Sequence, residues 1–119
     1  GNEVVLIAED DAGVRSYMKE TLVTHGYSVL EAENGQDAID RYNESVHLVI
    51  LDSVMPKKNG IEAYDTIKKV NPHAKTLFMS GYTRDVVLEK GVEEGKFEFV
   101  SKLILPDELL RRVRDILDK

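Results

Sequence analysis

The sequence predicts a doubly wound α/β domain in which a five-stranded parallel sheet carries about five helices on its two faces. Three observations predict it. Short apolar runs rich in β-branched residues alternate along the chain with amphipathic stretches. Each return to a new run passes through a stretch that suits a right-handed crossover, the connection that parallel strands need. The chain has 119 residues, 42% hydrophobic and 32% charged, which suits one domain with one core over 1–119.

The first strand is expected over 4–8. A helix then starts after Asp11, sets Val14, Met18 and Leu22 on one face, and ends at Gly26, a good left-handed stop. The second strand covers 28–31. Asn34 is read as the N-cap of the second helix, with Asp37 three residues on and Ala38, Ile39 and Tyr42 on the buried side. The third strand covers 48–51. The helix after it begins near Gly60, packs Ile61, Tyr64 and Ile67, and is finished by Pro72. The fourth strand covers 76–79, and 84–91 is a weaker helix because adjacent β-branched residues and nearby glycines lower its propensity. The fifth strand covers 97–100. The last helix runs over 106–118, with Pro106 in its first turn and Leu109, Leu110, Val113, Ile116 and Leu117 as its apolar stripe.

Sixteen Lys and Arg against twenty-two Asp and Glu leave a net charge of −6. The mean field repels nucleic acid phosphates and anionic membranes, so direct contact of this chain with either is not expected. The absence of cysteine removes disulfides, thiolate nucleophiles and zinc-thiolate sites, and suits a reducing, cytoplasmic setting. The longest apolar runs fall far short of the roughly 20 residues that span a bilayer.

In open sheets of this kind the ligand crevice lies outside the carboxyl ends of the strands. Glu9-Asp10-Asp11 follows the first strand, Asp52 the third, Ser80-Gly81 the fourth and Ser101-Lys102 the fifth. Converging carboxylates repel, by about 4 kcal/mol for two unit charges 4 Å apart at an effective dielectric near 20, so a cation is implied. Oxygen ligands with no His or Cys nearby favour Mg2+ or Mn2+ over zinc. A lysine and a hydroxyl on the same rim suggest a phosphoryl group on that metal, with the central carboxylate, Asp52, as nucleophile. Taken singly, each residue has a plainer reading: a strand-end Asp caps a helix, Lys102 is solvated, and Ser80 bonds to backbone. Joint placement at four strand ends outweighs those readings. His25, His47 and His73 are scattered and read as surface or loop residues. Lys57, Lys58, Glu93 and Glu94 read as solvated charges.

Glu9-Asp10 after an apolar strand with Arg15 following, Leu51-Asp52-Ser53-Val54-Met55-Pro56 with Asn59-Gly60, Met79-Ser80-Gly81, and Phe99 three residues before Lys102 occur together and in this order. On these residues the chain resembles the receiver domains of two-component response regulators over nearly its whole length. The resemblance implies a flavodoxin-like sheet of order 2-1-3-4-5. It implies that Asp52 is the phosphoacceptor, taking a phosphoryl group from a phosphohistidine on a histidine kinase or histidine phosphotransfer domain. Glu9, Asp10, Asp52 and the backbone carbonyl of Val54 would hold Mg2+, with Mn2+ as substitute. Lys102 and Ser80 would contact phosphoryl oxygens, and Ser80 and Phe99 would switch the face made by the fourth helix, fifth strand and last helix. That face would serve output and self-association. Such a domain takes part in its own phosphorylation and dephosphorylation without turning over an external substrate. Phe78 to Thr83, Gly91-Val92 and the last-helix pattern look like the receivers at the C-terminal end of hybrid sensor histidine kinases, so the chain is either a stand-alone regulator or part of a longer protein.

The sequence departs from the pattern where Leu103 stands in place of the usual proline after Lys102. A cis bond there is not assumed, because before a non-proline residue it costs about 2.5 to 4 kcal/mol. Leu105 stands where a Ser or Thr would cap the last helix, a loss of roughly 1 kcal/mol. Leu103, Ile104 and Leu105 are read as an apolar docking or dimer patch, against the plainer reading that one or two pack in the core. Val54 and Tyr82, two residues after Asp52 and Ser80, offer no carboxylate or amide to orient water, so slow self-dephosphorylation is expected. Val54 also argues against a haloacid dehalogenase-like phosphatase, which needs an Asp there. The acidic first loop argues against a flavodoxin-like cofactor binder, whose loop cradles phosphate. The remaining alternative is a receiver-like interaction module that is not phosphorylated.

Overall fold

Five strands pair in parallel in the order β2-β1-β3-β4-β5: β1 (Val4–Ala8), β2 (Ser28–Ala32), β3 (Leu48–Asp52), β4 (Thr76–Ser80) and β5 (Phe99–Ser101). This is the sheet order that the resemblance implied. The computed structural model describes residues 2–52, 59–80, 98–102 and 104–119. Four helices lie among the described residues: α1 (Ala12–Thr24), α2 (Gly35–Arg41), α3 (Gly60–Val70) and a C-terminal helix (Pro106–Leu117). The helix expected over 84–91 falls outside them. None of the four is long and apolar enough to cross a membrane.

Alternate strand residues feed two cores, because successive side chains leave a strand on opposite faces. On one face Val5, Ile7, Leu48, Ile50, Leu77, Met79 and Val100 meet Met18 and Leu22 of α1 and Leu109, Val113 and Ile116 of the C-terminal helix. On the other, Leu6, Ala8, Val49, Leu51 and Phe78 meet Ala38 of α2 and Ala63 and Ile67 of α3. The central strand β3 is buried at all five positions, the reason its sequence is a continuous apolar run ending in Asp52. Each fully buried Leu or Ile contributes about 1.5 to 3 kcal/mol.

Local chemistry sets where the chain leaves the strands. Asp11 caps α1 by accepting from the N–H groups of Gly13 and Val14. Asn34 accepts from Asp37 N–H at 2.8 Å, and Asn59 and Glu62 form a reciprocal capping box at the start of α3. After α1, Tyr27 N–H bonds to the Leu22 carbonyl and Gly26 N–H to that of Val23, with Gly26 at φ 94°. This is the left-handed stop that Gly26 predicted.

Three boundaries differ from expectation in a way that matters. β3 and β4 each run one residue further, so Asp52 and Ser80 are strand residues paired with Met79 and Ser101. A parallel ladder continues as long as its partner backbone does, and polar strand-end residues give no apolar signal of it. β5 begins at Phe99 and reaches Ser101, with Phe97 outside the described residues. The proposed 103–105 patch is corrected: Ile104 is only 7% exposed and belongs to the first core, because its side chain faces α1 and the C-terminal helix. Leu105 is 70% exposed and leaves the helix without a side-chain cap, and Leu103 lies outside the described residues. The three histidines are exposed, as expected.

Candidate functional site

Parallel registration carries Glu9 to the side of Asp52. Ala8 of β1 pairs with Leu51 of β3, so the next residues, Glu9 and Asp52, stand side by side at the strand ends. Both are buried, at 0% and 1% exposure. Glu9 is held at three points: its N–H bonds to the Ala32 carbonyl at 3.0 Å, its carbonyl accepts from Arg15 Nη1 at 2.7 Å, and its Oε2 accepts from Asp11 N–H at 3.2 Å. Asp11 is thus a helix cap and loop brace, while Asp10 faces solvent beside the buried pair.

Lys102 closes the cluster from β5. Its Nζ lies 2.8 Å from Asp52 Oδ2 and 2.9 Å from Glu9 Oε1. Glu9 Oε1 is buried and, although within ion-pair range, has no aligned hydrogen bond. Burial first, and then the hydrogen bond to Asp52, pushes the Glu9 carboxyl up to about 8. The hydrogen bond to Glu9 lowers Asp10. Burial pulls Lys102 down, but the hydrogen bond to Asp52 and the ion pair with Glu9 outweigh it and carry the ammonium above its ordinary value.

Glu9, Asp10 and Asp52 each offer a carboxylate oxygen, all within 4.8 Å of one another. Three carboxylates against one ammonium leave excess negative charge when all are ionised. The hard oxygen donors and the orphaned Glu9 oxygen fit a divalent cation such as Mg2+ or Mn2+. The arrangement can therefore hold a dication beside a buried nucleophilic carboxylate and present one fixed positive charge to an anion. An open groove of 700 Å3 between β2 and α2 shares Arg15 with this corner and none of its carboxylates, so the chemistry belongs to the strand ends.

Of the residues singled out from sequence, the structure brings together Glu9, Asp10, Asp52 and Lys102. Ser80 ends β4 opposite Ser101, one residue before Lys102, and Phe99 opens β5 opposite Phe78. Val54, Gly81, Tyr82 and Leu103 lie outside the described residues. Two contributors escaped sequence reasoning. In the sequence Arg15 reads only as a motif residue, yet it braces Glu9 and lies 3.5 Å from Glu31. Tyr17 donates to the Ile104 carbonyl at 3.0 Å, and its only sequence signal is an aromatic at the edge of the apolar stripe of α1.

Known proteins resemble this chain throughout. The family model described as the response regulator receiver domain matches residues 5–114. The transcriptional regulatory protein CpxR of Escherichia coli is 35% identical over 115 residues, covering 95% of this chain and 48% of CpxR. The chemotaxis protein CheY of Thermotoga maritima is 31% identical over 94% of this chain and 95% of its own length. The sensor kinase CckA of Brucella abortus is 32% identical, matching all of this chain with 13% of its length. The chain thus spans about half of CpxR and a small part of CckA. Among solved structures, the non-phosphorylated HemR receiver domain of Leptospira biflexa superposes with a TM-score of 0.86 at 28% identity, covering 99% of this chain and 96% of that one.

Proposed function

The chain belongs to the response regulator receiver family, and from that premise we propose that it is a Mg2+-dependent phosphoacceptor in which Asp52 takes a phosphoryl group from a phosphohistidine. The donor is a histidine kinase or a histidine phosphotransfer domain. The observation that carries the reading is a buried Asp52 held 2.8 Å from Lys102 Nζ, with the carboxylates of Glu9 and Asp10 beside it.

An Asp52 carboxylate oxygen attacks phosphorus, the phosphorus–nitrogen bond to the donor imidazole breaks, and the nitrogen leaves with the bonding pair. Glu9, Asp10 and Asp52, with the Val54 carbonyl, would hold Mg2+ or Mn2+, which supplies charge neutralisation at the transferring group. Lys102 passes from its carboxylate partners to a phosphoryl oxygen, giving a point charge that needs no new desolvation. The Ser80 hydroxyl donates to another oxygen. Ser80 and Phe99 then switch the face formed by the 84–91 segment, β5 and the C-terminal helix, through which outputs and a second copy dock. The domain serves phosphoryl relay rather than turnover of an external substrate, and the full-length match within CckA makes a hybrid kinase one setting for it.

Incubation with acetyl phosphate and Mg2+, read by intact mass, tests this. One added phosphoryl group is expected, absent in Asp52→Ala and absent with a chelator. An adduct that survives Asp52→Ala contradicts the assignment. No adduct, with metal binding intact, favours an interaction module that is not phosphorylated.

A further inference from the structure

Lys102 sits in a turn and the residue that follows it in sequence is Leu103, so no pyrrolidine ring fixes the backbone there. Ile104 holds the turn instead, at three points. Its N–H bonds to the Ser101 carbonyl at 3.1 Å, closing the turn around Lys102. Its side chain is buried in the first core. Its carbonyl accepts a hydrogen bond from the Tyr17 hydroxyl at 3.0 Å, between residues 87 apart in sequence.

Tyr17 stands on α1 two residues after Arg15, whose guanidinium holds the Glu9 carbonyl at 2.7 Å. One helix therefore fixes the turn bearing Lys102 and the strand end bearing its partner Glu9. The ring of Tyr17 packs against the first core while its hydroxyl reaches the loop, the use that suits an aromatic with a polar tip.

We propose that Tyr17 is a positioning residue that, through the Ile104 carbonyl, keeps Lys102 Nζ between Asp52 and Glu9. The placement of Lys102 stands on the geometry alone; the effect on phosphoryl uptake rests on the reading of Asp52 as phosphoacceptor.

Tyr17→Phe removes the hydroxyl and keeps the ring. Two readouts separate positioning from mere structural support. The first is the Lys102 ammonium signal in the NMR spectrum of nitrogen-15-labelled protein, assigned by its loss in Lys102→Ala. The second is the rate of phosphoryl uptake from acetyl phosphate with excess Mg2+, in both the wild-type and Lys102→Ala backgrounds. Tyr17→Phe is expected to speed exchange of the Lys102 ammonium protons with solvent and to slow uptake about fivefold. In the Lys102→Ala background it is expected to slow uptake no further. A Lys102 signal unchanged in Tyr17→Phe overturns the proposal, as does an equal slowing in both backgrounds. Faster exchange in Tyr17→Phe alongside a wild type that takes up no phosphoryl group would uphold the positioning role and overturn the phosphoacceptor reading.

Discussion

At the amino ends of the strands, Arg114 donates to both carboxylate oxygens of Glu3, at 3.3 and 2.5 Å, and to the Tyr27 hydroxyl at 3.3 Å. There too, Lys75 Nζ donates to the carbonyls of Leu117 and Lys119, and His47 Nδ1 accepts the N–H of Val4. At the carboxyl ends, Lys102 pairs with Glu9 and Asp52, Asp10 lies beside them, and one oxygen of Glu9 has no aligned donor. The hydrogen bond from Arg114 holds Glu3 down to about 2, whereas burial pushes Glu9 up to about 8. Charge at one end fastens the C-terminal helix to the start of the sheet. At the other it is left in excess, a cost in stability that a functional site carries in exchange for affinity for a cation.

Removing the ammonium that faces Glu9 and Asp52 breaks the contrast most severely. Lys102→Ala is expected to slow phosphoryl uptake from acetyl phosphate by about 10²-fold, followed by intact mass, whereas Arg114→Ala at the other end leaves that rate essentially unchanged. A smaller effect concerns water at the same end. Installing Asn at Val54 and Glu at Tyr82 together is expected to speed decay of the Asp52 acyl phosphate by about tenfold; slower or equal decay would refute the reading of those positions.

The smallest effects are on stability, and they carry opposite signs. Glu9 is raised from 4.5 to about 8, so in metal-free protein its contribution is full below about pH 4.5 and is lost as pH rises through about 8. Glu3 is lowered from 4.5 to about 2, so its contribution is present above about pH 4.5 and is lost as pH falls through about 2. Thermal melting should show Glu3→Gln lowering Tm by about 3 °C at neutral pH and converging on wild type in strong acid.

The functional end was largely legible in the sequence because its elements are local. Asp11 and Asn34 cap the helices they precede, and strand ends bring Glu9, Asp52 and Lys102 together once the parallel sheet is recognised. What escaped is tertiary. Arg114 and Glu3 lie 111 residues apart, and Tyr17 meets a backbone carbonyl that no side-chain pattern marks. Ile104 illustrates the same limit. Beside Leu103 and Leu105 it reads as part of an apolar patch, but its own side chain packs in the core while its neighbour Leu105 is exposed.

The contrast between the two ends is tested most directly by melting wild type and Glu9→Gln at about pH 8, each with a chelator and with excess Mg2+. Without metal, Glu9→Gln should melt above wild type, and Mg2+ should raise Tm in wild type more than in the variant. A variant that melts below wild type without metal, together with a wild type that Mg2+ does not move, would contradict a site held in charge excess for a divalent cation.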